Sequence, residues 1–237
     1  MAFATLRWPN TTAGAPATAV AVRTGTGYSP EGGCAGVVAA GIVAGDLALV
    51  NPMTDLRQQL RVYEDLGFDV ADVDVTGLLE FEREDAVLVL PHALVPMQEL
   101  IAKLRLPGKQ ATGILVSTFE DPDRYRPVDP GVPRERPYLI HGFEPGVEYL
   151  NVPPREALPR IAERDRLAAT IEEGLAAFAQ QPEVLQRNKC FSLAGSTRGD
   201  KRVPALWISA NAPKLGWCFA GAPHTWLGTA SVAGRQV

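Results

Sequence analysis

Hydrophobic positions take on a regular spacing only from Asn51 onward. Leu56, Leu60 and Tyr63 fall at i, i+4 and i+7, an apolar stripe on an otherwise charged segment, which predicts an amphipathic helix. Asn51 and Pro52 offer a cap and a first turn, and Gly67 a stop. A second short helix is expected over Thr76–Glu84 with Leu78, Leu79 and Phe81 inward. The run Asp85–Pro91, ended by proline, predicts a buried strand. A short helix over Pro96–Leu104 and a strand over Ala111–Ser117 follow. Phe119–Pro137 carries too much proline and charge for regular structure. Tyr138–Phe143 and Val147–Val152, separated by Glu144-Pro145-Gly146, predict a hairpin.

Pro153-Pro154 opens a helix running to about Glu163. Thr170 with Glu173 three residues on is a capping-box signature, and Ile171, Leu175 and Phe178 form the buried face behind it. One more helical turn is expected over Pro182–Arg187. The last fifty residues alternate as strands: Lys189–Gly195, Val203–Ser209, Leu215–Gly221 and His224–Ser231. A five-residue turn at 210–214, symmetric about Ala212, would set Trp207 opposite Trp217 and Cys218 opposite Leu206. The pattern predicts an α+β fold, with helices and mixed strands packed on a C-terminal antiparallel meander.

Residues 1–50 show no such period. They are Ala, Gly and Thr with only Arg7, Arg23, Glu31 and Asp46 charged. This stretch reads as a poorly ordered extension, or as a wrongly assigned start ahead of Met53, with 51–237 as one α+β domain. Its apolar core, Ala35–Gly45, is far too short to span a bilayer, so no membrane association is expected. The three cysteines are odd in number and widely spaced, which suits a reducing, cytoplasmic setting better than a disulfide framework. The net charge of −4 argues against nucleic acid as a partner.

Candidate chemistry clusters near the C-terminus. Cys190, Cys218 and His224 are spaced C-x27-C-x5-H, which fits no standard zinc pattern, so neither metal nor cofactor is expected. Cys218 and His224 could form a thiol–imidazole pair if the six-residue separation folds back. Arg198-Gly199-Asp200 has the composition of an ordinary turn. Between Arg187 and Lys214 six basic residues stand against the single acid Asp200, beside the tryptophan-rich strands. That rim could hold an anion.

The stretch from Asn188 to Gly228, NKCFSLAGSTRGDKRVPALWISANAPKLGWCFAGAPHTWLG, resembles an actinobacterial family of uncharacterised proteins, a domain of unknown function. The likeness extends more weakly back to about Met53 and leaves out the first fifty residues. It implies no activity, cofactor or catalytic residue. The residues themselves suggest a cytoplasmic protein that binds a small anionic molecule or a protein partner. Arg198 and Arg202 would fix the anion, and Trp226 and His224 would line the pocket. The alternative is a hydrolase or transferase using Cys218 or His224; a third reading is self-association through an exposed aromatic edge.

Overall fold

The computed structural model describes residues 55–237. The expected extension over 1–50, and Asn51, Pro52 and Met53, lie outside the described residues. Helix α1 spans Leu56–Asp65 and is capped by Asp55, whose side chain accepts from the Gln58 amide. Leu56 and Tyr63 are buried as expected, and so is Gln59. Strand β1, Ala86–Val89, has one open edge facing this helix. Gln59 covers it like a missing strand: Nε2 donates to the Ala86 carbonyl at 2.9 Å and Oε1 accepts from the Leu88 amide at 2.7 Å. The Tyr63 hydroxyl donates to the Leu88 carbonyl at 2.9 Å. A strand edge is thereby satisfied by side chains, which closes it to further pairing. The second predicted helix is a 3-10 segment, Thr76–Phe81, in which Leu78 is buried and Leu79 exposed.

Helix α2 spans Met97–Lys103 and strand β2 Ile114–Leu115. The proline-rich stretch contains a 3-10 turn, Pro122–Arg124, and a two-residue strand β3, Arg126–Pro127. Strand β4, Tyr138–His141, is buried throughout. The expected hairpin after it does not form: Val147–Tyr149 is a 3-10 turn, and Glu144 bridges to Ser231 instead. Two glycines explain the crossing. Gly146 has φ +74, and a Cβ there would stand 1.9 Å from the Thr229 carbonyl oxygen. A Cβ on Gly228 would stand 2.1 Å from the Gly146 oxygen, so the two segments cross only because both lack side chains.

Helix α3, Pro154–Glu163, starts where the diproline predicts. Strand β5 is Leu167–Ala168. Helix α4, Ile171–Gln180, has the full capping box: the Glu173 amide donates to Thr170 Oγ1, and the Thr170 amide donates to Glu173 Oε2 at 2.8 Å. It is buried on nearly all sides, with Ile171, Leu175 and Phe178 in the core. The helical turn after it is a 3-10 segment, Pro182–Val184.

The remaining strands are β6 Cys190–Ser192, β7 Ser196–Thr197, β8 Arg202–Ser209, β9 Ala212–Phe219, β10 Leu227–Thr229, β11 Ser231–Val232 and β12 Gly234–Gln236. One sheet has the order β1-β4-β12, all antiparallel. The larger has the order β10-β6-β8-β9-β2. Its centre, β6-β8-β9, is the antiparallel meander, but β10 returns parallel to β6 and β2 adds parallel to β9. The fold is α+β, with mostly antiparallel strands concentrated in the C-terminal half.

The β8–β9 register corrects the expected pairing. The turn has two residues, not five: Ala210 (φ 52) and Asn211 (φ 59) are both left-handed, the requirement of a tight hairpin turn. Ser209 then pairs with Ala212, Trp207 with Lys214 and Pro204 with Trp217. Trp207 and Trp217 consequently lie on opposite faces of the sheet and do not stack. Trp207 instead covers Gly216, where a Cβ would come 2.4 Å from its ring. The same register puts Pro204 and Pro213 in the rows of the pair that exchange no backbone hydrogen bonds, so their missing N–H groups cost nothing there.

Candidate binding cavity

The sequence-predicted site residues fall into two separate places. Gly228, Phe191 and Leu206 form one row across the larger sheet. Arg202 lies four residues along β8 on one side of that row, and Trp226 two residues before Gly228 on the other. At about 3.3 Å per residue they stand roughly 20 Å apart along the strands alone. His224 and Trp226 do meet, with ring centroids 5.2 Å apart. Arg198 and Arg202 also meet, through Asp200. The two arginines therefore stand apart from the His224–Trp226 pair.

The arginines hold the protein together locally. Arg198 Nε lies 3.2 Å from Asp200 Oδ2, and Arg202 Nε 3.8 Å from the same oxygen. The Arg198 guanidinium carbon is 5.9 Å from the Tyr125 ring centroid, and that of Arg202 is 4.9 Å from the Trp217 ring. Tyr125 stacks on Phe119 at 4.4 Å, and Trp217 Nε1 donates to the Thr118 carbonyl at 2.9 Å. Strand β3 pairs with β7 immediately before this loop. The basic loop thus hangs the proline-rich segment on the C-terminal sheet.

Cys218 is buried on the β9 strand, on the sheet face shared with Val203. Burial pushes its thiol pKa up to about 12, which is the environment of an unreactive cysteine. Burial also raises Cys190. Both are free thiols, on strands separated by β8. Among the described residues, no three His, Cys, Asp or Glu side chains gather as metal ligands.

The segment that the arginines anchor forms one wall of a cavity of about 630 Å³. The opposite wall is the chain from Leu90 to Gln98, leading into α2, and the inner end is Glu172 in the first turn of α4. Tyr125, Tyr138 and several prolines give it apolar sides. Arg126 and Arg134, both exposed, stand at the opening. Arg126 Nη1 donates to the Tyr125 carbonyl at 2.8 Å. His92 is used structurally: Nε2 lies 3.0 Å from Asp123 Oδ1, and Nδ1 accepts from the Met97 amide at 3.4 Å.

Two polar groups mark the inner part of the cavity. Gln98 Oε1 is buried without a hydrogen-bond partner. Glu172 faces both the cavity and a small apolar void beside Tyr63, Leu100 and Leu175. Burial raises its pKa above the ordinary carboxyl range, its neighbour Glu173 adds to the rise, and its own backbone amide and His92 oppose it. Beside it, Glu173 is turned away from the cavity, into the ion pair with Arg235.

None of Gln98, Arg126, Arg134 or Glu172 stood out in the sequence. One signal was available: a stretch as proline-rich as Phe119–Pro137 is stiff, and a stiff segment with interleaved Tyr and Arg makes a wall rather than a slack loop.

Fold and cavity together define an α+β protein with a partly enclosed pocket between the Leu90–Gln98 segment, the proline-rich segment and the start of α4. The chain belongs to the family of unknown function DUF5701, which matches residues 51–237. No curated protein and no solved structure matches the chain. No helix among the described residues is long and apolar enough to cross a membrane.

Proposed function

We propose that this protein binds a small anionic molecule in the cavity between the Leu90–Gln98 segment and the proline-rich wall. One observation carries the reading: a partly enclosed cavity of about 630 Å³ whose lining mixes prolines and tyrosines with Arg126, Arg134, Gln98 and Glu172. That volume is in the usual range for small-molecule sites, and such sites combine apolar walls with a few convergent polar groups. Arg126 and Arg134 receive the anion, in place of the Arg198 and Arg202 that the sequence suggested. Those two act indirectly, by holding Tyr125 and its segment in position. A reducing, cytoplasmic setting is part of this reading, from the odd number and wide spacing of the cysteines in the sequence.

The test is a fluorine NMR screen of a fragment library against the full chain, repeated on Ala93→Trp. Ala93 is exposed at the cavity opening, so the indole fills the space without entering the core. Fragments that bind the native chain should be lost from the variant, with its melting temperature unchanged. No hits, or hits indifferent to the indole, would overturn the reading.

A further inference from the structure

We propose that the ligand is a hydroxylated aromatic carboxylate, held with its carboxylate at the arginine-lined opening and its hydroxyl at Glu172 and Gln98. The inference rests on the cavity reading above and names the chemistry that its two ends select.

The opening selects a carboxylate. Arg126 and Arg134 both line it and both are exposed, and no ion-pair partner for Arg134 is found among the described residues. A guanidinium presents paired donors that match two carboxylate oxygens. The acids nearby oppose this only in part. Asp123 is engaged by His92, while Glu135 also lines the opening and makes it a mixed rather than a purely positive rim.

The sides select a flat apolar body. Tyr125 is fixed by its stack on Phe119, and Pro91, Pro122, Pro127 and Pro133 are rigid surfaces with few hydrogen-bonding groups. An aromatic ring meets such walls with little loss of conformational freedom.

The inner end selects a neutral hydroxyl over an ammonium. Glu172 sits against Leu90, Met97, Leu100 and Leu175, where a cation would lose its hydration for a single carboxylate partner. A hydroxyl has one proton to give and two lone pairs to offer. It donates to Gln98 Oε1, a buried acceptor without a partner, beside the Glu172 carboxyl that lines the same cavity. The orphaned Gln98 acceptor is then satisfied without burying an added charge.

Isothermal titration of the full chain with 4-hydroxybenzoate, 4-hydroxyphenylacetate, benzoate and 4-hydroxybenzyl alcohol tests this. At least one hydroxy acid should bind, and removing either its hydroxyl or its carboxylate should weaken binding by about tenfold or more. Arg134→Ala, a surface change, should weaken the hydroxy acid and leave the alcohol unaffected. Glu172→Leu should abolish the preference for the hydroxyl, and Glu172→Gln should retain it. Benzoate binding as tightly as 4-hydroxybenzoate would overturn the assignment of the inner end. If no hydroxy acid binds at millimolar concentration while library fragments still occupy the cavity, the ligand class is wrong and the cavity reading stands. If the fragments fail as well, the cavity reading itself has failed.

Discussion

Arg235, the third residue from the end of the sequence, closes a two-point ion pair on Glu173, a side chain with no solvent exposure. Its Nε lies 2.5 Å from Oε1 and its Nη2 3.1 Å from Oε2. The same guanidinium reaches Asp129 at 3.3 Å, in the segment that walls the cavity. Strand β12 is therefore tied both to the start of α4 and to the proline-rich loop. Removing the arginine alone leaves a buried carboxylate without its partner. Arg235→Ala should cost about 3–5 kcal/mol in urea unfolding, while the double change Glu173→Gln with Arg235→Met should recover a large part of it. A double change that costs the sum of the two single changes would show that the pair is not coupled.

Arg198 and Arg202 should report on stability rather than on direct ligand contact. The Arg198 side chain is 7% exposed and that of Arg202 31% exposed. Arg202→Ala should cost about 0.5–1 kcal/mol, from the lost contact with Trp217. Arg198→Ala should cost more, about 1–3 kcal/mol, because a nearly buried guanidinium is lost from between Asp200 and the Tyr125 ring. Both costs are read as shifts of the denaturation midpoint. A double alanine variant with an unchanged midpoint but no ligand binding would restore these arginines to the binding site.

Glu172 should make stability fall as pH rises. Its folded pKa is raised above the ordinary 4.5, so the folded state holds its proton more tightly than the unfolded chain does. That stabilisation is fully present below pH 4.5 and is lost as pH climbs through the raised folded value. Glu172→Gln cannot ionise and should gain on the native chain across that window. The check is a series of melting curves for both proteins from pH 4 upward. Parallel curves would place the carboxyl in water.

Cys218 should resist alkylation. With its pKa pushed up to about 12 by burial, the thiolate is scarce at neutral pH. Iodoacetamide at pH 8 should modify it far more slowly in the folded chain than in urea, read by peptide mass. Fast, selective labelling of folded protein would revive the thiol enzyme reading.

Local chemistry made part of this fold legible. The Thr170–Glu173 capping box, the Pro153-Pro154 helix start and the stripe through Leu56 and Tyr63 each depend on residues within a turn or two of one another. The central strands were legible for the same reason, because alternation is a short-range property. Their register was not. It turns on Ala210, an alanine in a left-handed conformation that its own preferences disfavour and that the pairing of eight flanking rows imposes.

The sequence by itself determined the longer helices and the central strands, and that their apolar faces make an α+β core. Only the tertiary structure decided where the chemistry lies. Gln59 completes a strand edge 27 residues away, Gly146 and Gly228 let two distant segments cross, and Arg198 fixes a wall whose Tyr125 belongs to another part of the chain. Glu172 and Gln98 come to share a cavity across more than seventy residues of sequence. Such meetings are set by packing between segments remote along the chain. No local periodicity encodes them, because each residue's own neighbours are the same whether or not the distant partner arrives.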